Sequence, residues 1–108
     1  MKARLLVTHV VTTSKRNQLV EVTDAVERLI RDHRLADGMA IFYVPHTPAA
    51  VTINENADPD VQHDLLLKLS SLIPKNESYY EHGEGNSDSH VKTSLVGSSA
   101  SWQWPVHP

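Results

Sequence analysis

Asp58-Pro59 and Pro74 bracket the segment that most restricts how this chain can fold. Asp58 is an acidic N-cap and Pro59 has the fixed φ suited to a first helical position, where its missing N–H costs nothing. Val61, Leu65, Leu69 and Leu72 then recur on one stripe until Pro74 forbids continuation. The pattern predicts an amphipathic helix between the two prolines, with its stripe in the core.

The remaining sequence reads as a mixture of strands and helices. Ala3 to Thr13 is rich in Val, Leu and Thr, a polar turn follows at Ser14 to Asn17, and Gln18 to Val22 reads as a second short strand. Thr23 is the expected N-cap of another helix running to about Arg34, with Val26, Leu29, Ile30 and His33 on one stripe and Asp24 near its positive end. Gly38 permits the turn out of that helix. Met39 to Val44 reads as a buried strand that resumes at Ala49 to Ile53 after Pro45 and Pro48, a pairing that suits a hairpin. Tyr79 and Tyr80 suggest another short strand, and Ser87 can cap a short helix over Ser89 to Val96 ahead of Gly97. Strands and helices mix without a regular βαβ repeat, so the expected class is α+β.

A chain of 108 residues with 40% hydrophobic composition is expected to form one globular domain that gains from oligomerisation. A net charge of -3 with no concentrated basic surface argues against a nucleic-acid partner. No apolar run approaches membrane-spanning length and the first residues read as strand rather than signal peptide, so no membrane partner is expected and the cytoplasm is the expected location. The absence of Cys removes disulfides and thiolate chemistry, leaving His, carboxylate and water as metal ligands.

Two polar blocks stand out against this background: Asn54-Glu55-Asn56-Ala57-Asp58-Pro59-Asp60 and His82-Gly83-Glu84-Gly85-Asn86-Ser87-Asp88-Ser89-His90. Carboxylates, carboxamides and imidazoles at this density are costly to bury without a ligand or one another. His46, flanked by Pro45 and Pro48, is aimed beyond a strand end, as a site residue or as a turn His bonded to a carbonyl. Gly83 and Gly85 allow the chain to fold back, so that His82 and His90 can converge. Glu55 can orient an imidazole or act as a base, or it can be a solvated loop residue. Asp58 has a sufficient reason to exist as a helix cap. Asn54 and Asn56 suit a substrate edge or Asx turns equally. Glu84, Asn86 and Asp88 alternate, so they share a side if the loop is extended and divide if Ser87 starts a helix. Lys92 is the basic residue nearest the second block, available to a phosphate or to Asp88 four residues earlier. Backbone N–H groups near Ser89 and His90 can add to anion binding.

The runs His46-Thr47-Pro48-Ala49-Ala50-Val51-Thr52-Ile53-Asn54-Glu55-Asn56-Ala57-Asp58-Pro59-Asp60-Val61 and His82 to Lys92 resemble the two signature segments of the YjbQ-like family, also called the secondary thiamine-phosphate synthase family. The resemblance implies a small α+β sandwich with two main helices, assembled as a homotrimer. It also implies a weak transferase activity that joins a pyrimidine diphosphate to a thiazole phosphate with loss of pyrophosphate. On that reading His46, His82 and His90 hold a divalent metal, zinc first, with magnesium the alternative for a diphosphate substrate. Glu55, Asp88 and Lys92 are then the catalytic candidates, and Asn54, Asn56, Asp58, Glu84 and Asn86 the substrate-binding ones. The competing expectation is a noncatalytic trimer that binds a metal or metabolite without turning it over.

The chain departs from the family pattern after Ser98-Ser99-Ala100-Ser101. Members resembling it continue with further strands and a Gly-Thr-Trp-Gln signature, whereas here Trp102-Gln103-Trp104-Pro105-Val106-His107-Pro108 follows. The expectation is a domain short at its C-terminus, with Trp102, Trp104 and Val106 standing in for closing strands and part of the sheet uncovered.

Overall fold

The structure is a computed structural model that describes residues 5–54 and 56–105. It contains helix α1 (Thr23–Asp32), strand β1 (Gly38–Tyr43), helix α2 (Pro59–Leu72), helix α3 (Ser87–Val96) and strand β2 (Ser99–Trp104), an α+β arrangement.

α2 follows its sequence signals at its ends but not in its burial: no residue of the stripe is buried, Val61, Leu65 and Leu69 being half-buried and Leu72 63% exposed. Asp58 Oδ1 accepts the N–H of Asp60 at 2.9 Å and Pro59 takes the first position, while the helix stops at Leu72, two residues before Pro74. α1 starts at Thr23, but the N-cap is Val22 and no side chain caps it. Ala25, Val26, Leu29 and Ile30 are half-buried, and His33 lies past the end, exposed, with its ring Nδ1 2.9 Å from the Leu29 carbonyl oxygen. α3 begins at Ser87, one residue after the N-cap Asn86. It ends where Gly97, at φ 101, returns its N–H to the Thr93 carbonyl at 2.8 Å. That left-handed φ is one that glycine alone adopts without strain.

The sheet, among the described residues, is one antiparallel pair in the register Gly38↔Trp104, Met39↔Gln103, Ala40↔Trp102, Ile41↔Ser101, Phe42↔Ala100 and Tyr43↔Ser99. Alternation divides it into two faces. Gly38, Ala40, Phe42, Ala100, Trp102 and Trp104 share the half-buried face, while Met39, Ile41 and Tyr43 stand on the open one. Just beyond the pair, Val44 N–H donates to the Ser98 carbonyl at 2.9 Å and Val51 N–H to the Gly97 carbonyl at 3.1 Å, fixing the 44–51 turn against the α3–β2 junction.

Several expected strands are replaced. The hairpin between Met39–Val44 and Ala49–Ile53 does not form: β1 pairs instead with Ser99–Trp104, and Val51 N–H donates to Gly97 rather than to β1. The described parts of Ala3–Thr13 and Gln18–Val22, exposed except for the half-buried Val22, form no ladder, because β propensity needs a partner strand to act. Tyr79-Tyr80 is a turn, closed by Tyr80 N–H donating to the Glu77 carbonyl at 3.1 Å, with the two rings edge to face at 5.2 Å. The stand-in role expected of Trp102 and Trp104 becomes a full strand opposite β1; Val106 lies outside the described residues.

Apolar burial is thin. Ile73 is the one buried hydrophobic residue among those described, and the Cα radius of gyration of 16.4 Å exceeds the roughly 13 Å of a compact domain of about 100 residues. On the inner sheet face Gly38 packs against Trp104: an added Cβ would lie 2.8 Å from Cζ2 of the indole. A side chain at that position has to displace the indole. Gly38→Val should therefore lower stability by about 1–3 kcal/mol, seen as an earlier urea midpoint with tryptophan fluorescence as the probe.

Candidate functional site

α3 organises the second polar block. Ser87, His90 and Val91 lie along one side of it, and the turn before it, closed by Gly85 N–H donating to the His82 carbonyl at 3.2 Å, brings His82 back over that side. The His82 and His90 rings meet edge to face, with centroids 5.4 Å apart and planes at 80°. With Ser87 and Val91 they line an open depression of about 390 Å³. Glu84 Oε2 is 3.8 Å from His82 Nε2, which makes a long contact on an exposed side chain. At the N-cap, the Asn86 carbonyl oxygen accepts from the N–H groups of Ser89 and His90, while its side-chain Oδ1 is buried without a hydrogen-bond partner.

His46 is not in this group. It is exposed in the turn between Val44 and Val51, both of which bond to residues 97–98 at the C-terminal end of α3. At 1.5 Å per residue that end lies roughly 10 Å along the helix from His90. No group of three or more His, Asp or Glu positioned for a metal ion exists among the described residues. The donors within one chain therefore amount to an imidazole pair.

On the adjacent side of α3 the chemistry is ionic. Asp88 is fully buried, Lys92 is 8% exposed, and Lys92 Nζ donates to Asp88 Oδ2 at 3.2 Å. The second partner comes from 72 residues away: Arg16 Nη2 donates to Asp88 Oδ1 at 2.6 Å. Burial by itself would raise the Asp88 carboxyl, but the Lys92 hydrogen bond and the charges of Arg16 and Lys92 outweigh it and hold the group below the usual carboxylate value. The same charge acts on Tyr80, whose hydroxyl is raised by desolvation and by neighbouring Tyr79, Glu77 and Asp88.

The remaining candidates are dispersed. Asp58 is engaged as the α2 cap. Asn56 Oδ1 accepts from Gln62 Nε2. Asn54 follows the extended segment ending at Ile53, and Glu55 lies outside the described residues. Arg16 was missed by sequence reasoning, since it sits in a polar turn whose local pattern carries no sign of Asp88. The only available signal was indirect: a buried carboxylate with one i,i+4 lysine is short of donors.

A small α+β domain with an imidazole pair beside a buried ionic cluster on one helix is the class the geometry defines. The family model described as UPF0047 protein YjbQ-like matches residues 7–105, so the chain belongs to the YjbQ/UPF0047 family. It is 50% identical over 96 residues to UPF0047 protein MJ1081 of Methanocaldococcus jannaschii, covering 89% of this chain and 69% of that protein. It is 40% identical over 95 residues to UPF0047 protein YugU of Bacillus subtilis, covering 88% and 72%. Among solved structures, an uncharacterized YjbQ/UPF0047 protein of Clostridium acetobutylicum superposes with a TM-score of 0.80 at 44% identity, covering 86% of this chain and 71% of that one. The hypothetical protein APE1520 of Aeropyrum pernix gives 0.77 at 29% identity, covering 86% and 69%.

Because Asp88 titrates lower folded than unfolded, its contribution to stability is complete above about pH 3.8 and is lost as pH falls through the lower folded value. Asp88→Asn should cost about 3 kcal/mol at pH 7, since it strands two cations around a buried site. The gap between wild type and variant in urea unfolding should close as the pH is taken below 3.8.

Proposed function

We propose that this chain is a small transferase of the secondary thiamine-phosphate synthase type, joining a pyrimidine diphosphate to a thiazole phosphate. The thiazole nitrogen lone pair forms a bond to the exocyclic methylene of the pyrimidine as the C–O bond to the diphosphate breaks and pyrophosphate leaves with that electron pair. The observation that carries the reading is the meeting of His82 and His90 at an open depression on the same helix that holds Lys92. Imidazole and hydroxyl donors from His82, His90 and Ser87 orient the heterocycle, and Lys92 supplies charge for the diphosphate. Asp88 is committed to two cations, so its part is to hold Lys92 rather than to take a proton.

Family resemblance and the exposed face of Met39, Ile41 and Tyr43, at 66%, 76% and 68%, support a homotrimer in which that face is covered. The resemblance also suggests a divalent ion, zinc or, with a diphosphate, magnesium. One chain does not fit zinc, because it offers two imidazoles where at least three protein ligands are usual. The ion is therefore proposed only for the assembly, where the exposed His46 of a neighbouring copy is the available third donor. Zinc content measured with the oligomeric state should fall in His46→Ala and His82→Ala proteins that remain trimeric; undiminished zinc in both would remove these ligands. The cytoplasm is the proposed location, and no helix among the described residues is long and apolar enough to cross a membrane.

The second reading, a noncatalytic metabolite-binding trimer, is favoured by the openness of the depression. Pyrophosphate release from a mixture of the two substrates separates the readings. Slow turnover is expected, with kcat/KM falling by about 100-fold in His90→Ala, the order for losing a group that contacts the transition state. Substrate binding without any release of pyrophosphate would leave the second reading.

A further inference from the structure

The ionic cluster on α3 is unbalanced. Asp88 brings one negative charge and meets two cations, Arg16 on Oδ1 and Lys92 on Oδ2, so the cluster carries one surplus positive charge beside a fully buried carboxylate. Among the described residues neither cation has a second carboxylate in ion-pair contact. Among the described residues Lys92 Nζ, with three donors, makes one hydrogen bond, and the Arg16 guanidinium, with five donors, also makes one. A surplus charge partly shielded from water, as at Lys92 with its side chain 11% exposed, favours an anion to compensate it.

The Lys92 side chain is 11% exposed, whereas that of Arg16 is 38% exposed, so the guanidinium is the cation an incoming anion meets first. Asp88 fixes both groups in advance and, being saturated by them, does not present a free negative charge. A planar guanidinium fork beside an ammonium point charge is suited to phosphate oxygens. Asp88 and Lys92 lie about a third of a turn round α3 from the Ser87, His90 and Val91 side, so this location adjoins the imidazole depression and shares no lining residue with it.

We propose that Arg16 and Lys92 form a phosphate- or diphosphate-binding site, with Asp88 as the positioning residue that holds them apart and oriented. The inference rests on the synthase reading only for the choice of a diphosphate as preferred occupant; anion binding itself needs no turnover.

Calorimetric titration of the full chain with pyrophosphate, and separately with inorganic phosphate, in metal-free, low-salt buffer tests the site. Pyrophosphate should bind, with inorganic phosphate weaker. Arg16→Gln and Lys92→Gln should each weaken pyrophosphate at least about tenfold, while Arg16→Lys should recover part of the loss and His33→Ala, at an exposed residue past the end of α1, should leave it intact. Circular dichroism confirms folding, and the partly exposed Arg16 makes Arg16→Gln the decisive variant if Lys92→Gln unfolds. No binding of either anion by wild type, equal affinity in Arg16→Gln, or an equal loss in His33→Ala would each overturn the proposal. Arg16-dependent pyrophosphate binding in a protein with no turnover would sink the synthase reading and leave this site standing.

Discussion

The contact between Asp88 and Arg16 is the interaction on which the arrangement around α3 depends. Asp88 is the only fully buried large side chain among the described residues, and it is ionic where a core would ordinarily be aliphatic. Its bond to Arg16 spans 72 residues and fixes the polar turn near Ser14–Asn17 against α3. Desolvation makes such a cluster poor evidence of net stability, yet removing one member is costly, because the others are left uncompensated. The cluster therefore specifies position more than it adds stability. With Asp88 and Lys92 turned inward, Ser87, His90 and Val91 are left facing the depression, and the Gly85 turn carries His82 to meet them.

Apolar contacts do less than their number in the sequence suggests. β1 and β2 gather Phe42, Trp102 and Trp104 on one face, but Met39, Ile41 and Tyr43 stand open on the other, as do Leu6 at 97% and Val10 at 81% exposure in the N-terminal segment. Exposed apolar area of this extent favours association. The proposed trimer and the incomplete set of metal donors follow the same logic: one chain supplies a helix-borne pair of imidazoles and leaves both a sheet face and His46 outward.

Local signals were legible where the deciding physics was local. Asp58-Pro59 and Pro74 delimited α2, and Gly97 marked the end of α3, because caps and ring constraints act within a turn. The α+β class and the family could be read from the same sequence, the latter from the two polar segments. Strand pairing was not legible: Ala49–Ile53 is nearer to β1 in sequence and equally strand-like, but Ser99–Trp104 takes the ladder, a choice made by tertiary packing. The same holds at the site. His82 and His90 are brought together by a short glycine-containing turn, whereas the separation of His46 and the arrival of Arg16 depend on how distant segments dock.

A double-mutant cycle on Arg16→Gln and Asp88→Asn, measured by urea unfolding at pH 7, tests that docking most directly. A contact of this kind should give a coupling energy of about 1–3 kcal/mol, with the double variant less destabilised than the sum of the singles. Additive effects, with a coupling indistinguishable from zero, would contradict the account by showing that Arg16 does not engage Asp88 in the folded protein.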